Sequence, residues 1–202
     1  MENPSDQSSP RRIGFYPCCA GDIEEPRRFL APYVDEILFC DLRKPKAWNK
    51  VRDEPGLPVV RFLQGDVREL IADLPPIRVL FYRNDSNAEG GSGLHIVGKV
   101  LLPKILARFD RAGGWIFTDG SNSNGGKTLE KLLSAEGHGK PSWGFRLRRV
   151  DGCNLRSRLG TPVHAIEVSP LPPGKPIQFS GQNEDRFVAK GNFMYGRKNP
   201  RQ

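Results

Sequence analysis

The ten residues Ile13-Gly14-Phe15-Tyr16-Pro17-Cys18-Cys19-Ala20-Gly21-Asp22 decide the architecture. A short apolar run, Ile13 to Tyr16, gives way to turn-forming residues, and Ile23, Phe29, Leu30, Tyr33 and Val34 then recur at roughly helical spacing. Strand, turn and helix follow in that order, with Asp22 as a plausible N-cap and Pro26 in the first turn, where a missing N–H does no harm. The alternation continues outward. Ile37-Leu38-Phe39-Cys40 is a buried-type strand ending at Asp41, and Leu42 to Leu57 is a loop with a helical turn near Trp48. Val59 to Leu63 forms a third strand, leading to a short helix that Asp66 can cap. Ile77 to Tyr82 is a fourth strand, followed by a polar loop from Arg83 to Gly93. His95 to Phe109 carries apolar residues at helical intervals, with Pro103 either kinking that helix or starting a second one. Gly113-Gly114 ends it before a fifth strand, Trp115 to Thr118. A helix through Leu129, Leu132 and Leu133 and two strands, Phe145 to Val150 and Val163 to Val168, complete the series, with one further strand expected over Asn192 to Tyr195.

Short buried strands alternating with helices predict an α/β fold: a mostly parallel sheet of about seven strands with helices on both faces. In such sheets ligands lie over the carboxyl ends of the strands, near the point where strand order reverses. Residues 1–10 are expected to be a frayed tail, 11–168 the domain, and 169–202 a basic, largely irregular extension packed on or flanking it.

Composition fits this division. With 202 residues, 37% hydrophobic and 27% charged, the chain has the make-up of one soluble domain with appendages. No apolar run approaches the ~18 residues of a membrane span, and the amino terminus lacks the apolar core of a signal peptide, so a cytoplasmic protein is expected. The cysteines, Cys18, Cys19, Cys40 and Cys153, follow neither zinc spacing nor a disulfide framework and read as free thiols. The net charge of +8 is unevenly placed: residues 146–202 carry 11 basic and 4 acidic side chains, against 20 and 19 in residues 1–145. Arg146, Arg148, Arg149, Arg156 and Arg158 therefore mark a possible nucleic-acid footprint, with a solvated charged face as the plainer reading.

Three loops carry the chemistry of a nucleoside site. The first, around Tyr16, Pro17, Cys19 and Gly21, places backbone at a helix start, where an anion is attracted, although it also reads as a compact structural turn. The second holds Asp41, 20 residues after Gly21 at a strand end, where a carboxylate can accept hydrogen bonds from ribose hydroxyls; a turn or cap aspartate is the alternative. The third holds Asp66 and Val67, suited to an adenine amine and face, or simply to capping. The loop after the fourth strand gathers Arg83, Asp85, Glu89 and His95 beside a Gly-Gly-Ser-Gly segment. Asp85 or Glu89 is suited to a general base, His95 to a proton carrier and Arg83 to an anion clamp. Asp119 and Ser121 after the fifth strand offer oxygen ligands only faintly, and no metal is assigned. The glycine-rich tract 119–126 lacks the spacing of a phosphate-binding Walker loop, which excludes nucleoside-triphosphate hydrolysis of that type.

In this order, the glycine-containing first loop, Asp41, Gly65-Asp66, the polar loop after the fourth strand, the Gly113-Gly114 turn and two late strands resemble the class I, Rossmann-like S-adenosylmethionine-dependent methyltransferases over roughly residues 12–168. The resemblance implies a cofactor across loops one to three, with its ribose near Asp41 and its adenine near Asp66 and Val67, and methyl transfer to an unidentified acceptor. Where that family's first motif opens with an acid and spaces three glycines, this chain has Phe15, Pro17, Cys19 and Gly21, and the family's Asn/Asp-Pro-Pro-aromatic motif is replaced by Tyr82-Arg83-Asn84-Asp85. The alternative is a catalytically degenerate module of the same fold that binds nucleic acid or a protein partner through its basic end.

Overall fold

The computed structural model describes residues 10–85, 91–98, 100–121 and 145–170. The expected helix through Leu129, the strand over Asn192 to Tyr195, Glu89 and nearly all of both terminal segments lie outside the described residues. Seven strands form one sheet: β1 (Ile13–Pro17), β2 (Glu36–Asp41), β3 (Val59–Gln64), β4 (Val79–Tyr82), β5 (Gly114–Thr118), β6 (Phe145–Val150) and β7 (His164–Pro170). Their order across the sheet is β3-β2-β1-β4-β5-β7-β6. The first five are parallel, whereas β7 runs antiparallel to both β5 and β6. Among the described residues, no helix is long and apolar enough to cross a membrane.

The two-residue alternation of side chains splits the core in two. Tyr16, Ile37, Phe39, Val79, Phe81 and Phe117 face one side, where helix α1 (Glu24–Leu30) packs through Leu30. Phe15, Leu38, Leu80, Tyr82 and Ile116 face the other, under α2 (Val67–Leu70) and α3 (Leu101–Leu106). Because both faces are covered, the central strands β1, β2 and β4 read as unbroken apolar runs rather than as alternating ones.

Two expectations are settled. Of the two roles open to Pro103, starting a helix is the one observed: α3 spans Leu101–Leu106 with Pro103 in its first turn, and the stretch expected to begin at His95 is shortened to it. Proline lacks the N–H that a longer helix would need there, and it fits where that donor has no partner. Asp22 does not cap α1. The N-cap is Ile23, with no side-chain bond, because the Asp22 carboxylate is engaged elsewhere. Asp66 does cap α2, accepting from the Arg68 N–H at 2.9 Å.

Entry into β5 leaves no room for a side chain, since a β-carbon on Gly114 would overlap the Arg78 carbonyl. The Trp115 N–H donates to that same carbonyl at 2.8 Å, so the backbone cannot retreat without losing a sheet bond. Gly114→Ala should lower the unfolding free energy by about 3 kcal/mol, the upper end of ordinary overpacking, as read from the urea midpoint.

Candidate functional site

Strand order reverses at β1, which has β2 on one side and β4 on the other. A cavity of about 300 Å³ opens there over the carboxyl ends of β1 to β4. Its β1 wall is Cys18 and Ala20. Both hold left-handed backbone, φ 56° and 46°, and Gly21 follows at 89°. The loop thus keeps a glycine-type conformation with side chains present, at a cost of about 1–2 kcal/mol for each non-glycine residue. What holds it is Asp41: its Oδ2 accepts from the Ala20 N–H at 2.9 Å and its Oδ1 from the Leu42 N–H at 2.7 Å. A carboxylate has about four acceptor positions, so two remain for donors in the cavity.

After β3, Asp66 and Val67 reach the same cavity. The Arg68 guanidinium folds back onto the Asp66 carboxylate, and this hydrogen bond holds the Asp66 pKa below the usual carboxylate range. Val67 is buried beside them. After β4, Asp85 lines the opposite end and accepts from Tyr82 Oη at 2.7 Å, from the Ser92 N–H at 2.7 Å and from the Ser92 hydroxyl.

Behind the cavity lies a buried polar knot. Arg83 is 1% exposed. It donates to both Asp22 oxygens, from Nε at 2.8 Å and from Nη2 at 2.9 Å, and also to Glu25 and to the Arg156 carbonyl. Burial opposes the charge, yet the hydrogen bonds to Asp22 and Glu25 outweigh it and hold the guanidinium pKa above its ordinary value. Tyr16 Oη and Asn84 Nδ2 each donate to Asp22 Oδ2 at 2.9 Å. Asn84, in left-handed backbone at φ 63°, also receives the Arg158 N–H on Oδ1 at 2.7 Å and gives its own N–H to Asp119 at 3.0 Å. Four loops are pinned at one residue.

Several residues read from sequence as site groups sit off this cavity. Arg83 is not an anion clamp, because its guanidinium is buried and bound to protein groups. Tyr16, fully buried, belongs to the same knot. Pro17, Cys19, Gly21 and His95 do not line the cavity. The chain instead puts Cys18, Ala20, Arg68, Asn84 and Ser92 on its wall. Of these only Asn84 carried a sequence signal, since asparagine favours left-handed backbone. The carboxylate of Asp119 accepts from Asn84 and Ser121 N–H groups, and among the described residues no three His, Cys, Asp or Glu side chains converge as metal ligands do. Burial pushes the Cys19 and Cys40 thiols up to about 12, so neither is a thiolate near neutral pH.

No family model matches the chain, and no curated protein matches it. Solved structures do. A candidate methyltransferase of Streptococcus mutans, in complex with S-adenosylhomocysteine, is 14% identical, with a TM-score of 0.47 over 79% of this chain and 89% of that one. Human methyltransferase-like protein 13, in the same type of complex, is 12% identical, with a TM-score of 0.44 over 95% and 85% of the two chains. Spermidine synthase from Thermotoga maritima is 10% identical, with a TM-score of 0.44 over 91% and 68%. The strand order of this chain, more than any of these scores, settles the architecture. The chain has a Rossmann-like fold. The roles of individual residues rest on the geometry above.

Three outcomes follow from that geometry. Arg83→Met leaves Asp22 charged and unpaired in the interior and should cost about 3–5 kcal/mol of stability by urea denaturation. Ala20→Gly removes an exposed methyl from left-handed backbone and should raise stability by about 0.5–1 kcal/mol in the same assay. For the thiols the sign follows from their raised pKa. The folded state keeps Cys19 and Cys40 protonated while the unfolded chain ionises near 9.0, so their contribution is full below that pH and is lost as pH rises towards about 12. At pH 8 both should resist iodoacetamide in the native protein and react in denaturant, as counted by mass spectrometry of the peptides.

Proposed function

We propose that the cavity binds S-adenosylmethionine and that the protein transfers its methyl group to an acceptor presented at the β4 side. One observation carries this reading: Asp41, at the end of β2, lines the cavity that also holds Asp66 and Val67 and accepts two backbone N–H groups, fewer than the about four a carboxylate can take. That set suits an adenosyl group. A ribose offers two hydroxyl donors to Asp41, and the apolar face of an adenine suits Val67. Asp85 is the remaining carboxylate, at the far end, and is suited to the cofactor's ammonium because Phe15 lies in the core where an acid would otherwise stand on β1.

When bound, the cofactor would supply an electrophilic methyl on a sulfonium. The chain's own part is positional. Asp41 fixes the first loop and orients the ribose end. Asp85, held by Tyr82 and Ser92, fixes the amino-acid end. Alignment of a nucleophile with the methyl then does most of the catalytic work, as effective concentration rather than as proton transfer. The general base expected at Asp85 or Glu89 and the proton carrier expected at His95 are not needed for this step; Asp85 is assigned here to the ammonium instead, and His95 lies off the cavity wall.

Calorimetric titration with S-adenosylhomocysteine and S-adenosylmethionine, with NAD and ATP as controls, tests the reading. Saturable binding of the first pair alone is expected, weakened at least tenfold in Asp41→Asn, which keeps the side-chain shape and one oxygen. Absence of binding by the wild-type protein would overturn the cofactor assignment and favour a module that has lost it.

A further inference from the structure

Strands β6 and β7 are joined at the carboxyl edge of the sheet by residues 151–163, the same edge that carries the cavity. Within this connection lies a tight turn. Arg156 bridges Pro162, the Ser157 N–H donates to the Thr161 carbonyl at 2.8 Å, and the Gly160 N–H donates to the Ser157 carbonyl at 2.9 Å. Gly160 supplies the left-handed residue, φ 78°. The turn is fastened to the site at two points: the Arg156 carbonyl accepts from Arg83 at 2.6 Å, and the Arg158 N–H donates to Asn84, which itself lines the cavity. Backbone groups make both attachments. The side chains of Arg156 and Arg158 are exposed, and Leu159 at the tip is 92% exposed.

A leucine so fully exposed on a turn held this firmly has no packing role among the described residues; Arg158 precedes it, and the Arg156 guanidinium reaches the Gly160 carbonyl on its other side. Arg148 on β6 is paired with the Glu167 carboxylate, whereas Arg156 of the turn meets only a backbone carbonyl, donating from Nη1 to Gly160 at 2.8 Å, so its charge has no carboxylate in that contact. We propose that Ser157–Gly160 is the acceptor-side grip of the site and that its partner is a nucleic-acid strand, with Arg156 and Arg158 on phosphates and Leu159 against the bases. An apolar tip flanked by cations is the chemistry that separates stacked bases while neutralising the backbone beside them, and a base must leave the stack before an enzyme can act on it. The acceptor role rests on the methyl-transfer reading; binding of the strand does not.

The test is fluorescence anisotropy of the full chain with labelled oligonucleotides of mixed sequence, single-stranded RNA, single-stranded DNA and duplex, across a KCl series and without cofactor. Binding should weaken steeply with salt. Arg158→Glu retains the N–H that anchors the turn, so its melting temperature should stay within a few degrees of wild type; its affinity should fall about tenfold and its log–log salt slope by about 1. Leu159→Ser should weaken binding at every salt concentration with the slope unchanged. Equal binding by wild type and both variants, or no salt-dependent binding by the wild type to any of the three probes, would overturn the proposal. Titration of Arg158→Glu with S-adenosylhomocysteine separates the two readings: loss of strand binding with intact cofactor binding assigns the turn to the acceptor side, and strand binding by a protein that takes no cofactor sinks the methyl-transfer reading alone.

Discussion

The bidentate contact between Arg83 and Asp22 is the constraint on which the upper half of the molecule depends. A guanidinium 1% exposed is tolerable only if its donors are matched, and here they reach the loop after β1, the start of α1 and the β6–β7 connection. Buried ion pairs are poor sources of net stability but exact large penalties when one partner is missing. The pair therefore acts less as a source of stability than as a selector of arrangement, allowing only loop positions that satisfy every donor.

Seen this way, the fold has two kinds of glue. Below the carboxyl edge, two apolar layers interleave on either face of the sheet, and their order follows from the alternation in β1, β2, β4 and β5. Above it, hydrogen bonds among Asp22, Arg83, Asn84 and Asp119, and from the Asp85 N–H to Ser121, fix the loops. Apolar burial is tolerant of small shape changes, whereas hydrogen bonds demand distance and angle. A frame of the first kind can therefore carry a site of the second without transmitting every disturbance to it.

The lower half was legible in the sequence because strand periodicity is a local property. The apolar pattern of Phe145 to Val150 marks β6 with its observed bounds, and Asp66 before Val67 marks a cap that the structure shows. The upper half was not, because its logic is long-range. Arg83 and Asp22 are 61 residues apart, and nothing near either position announces the other. The same holds for Cys18 and Ala20: glycine is the usual mark of left-handed backbone, and where Asp41 enforces that backbone on other residues the mark is missing. At Pro103 the sequence leaves two options, a kink or a helix start, and the choice of a start depends on what the preceding turns bond to.

The non-glycine first loop has a thermodynamic consequence of its own. A glycine-rich cradle roams widely until its ligand arrives, and the loss of that freedom is charged against affinity. Here Cys18 and Ala20 have fewer conformations to lose, and the Asp41 carboxylate has already selected one. Preorganisation of this kind shifts the entropy of ordering from the moment of binding to the moment of folding, so that a chain with fewer glycines can meet a ligand with a cradle already set.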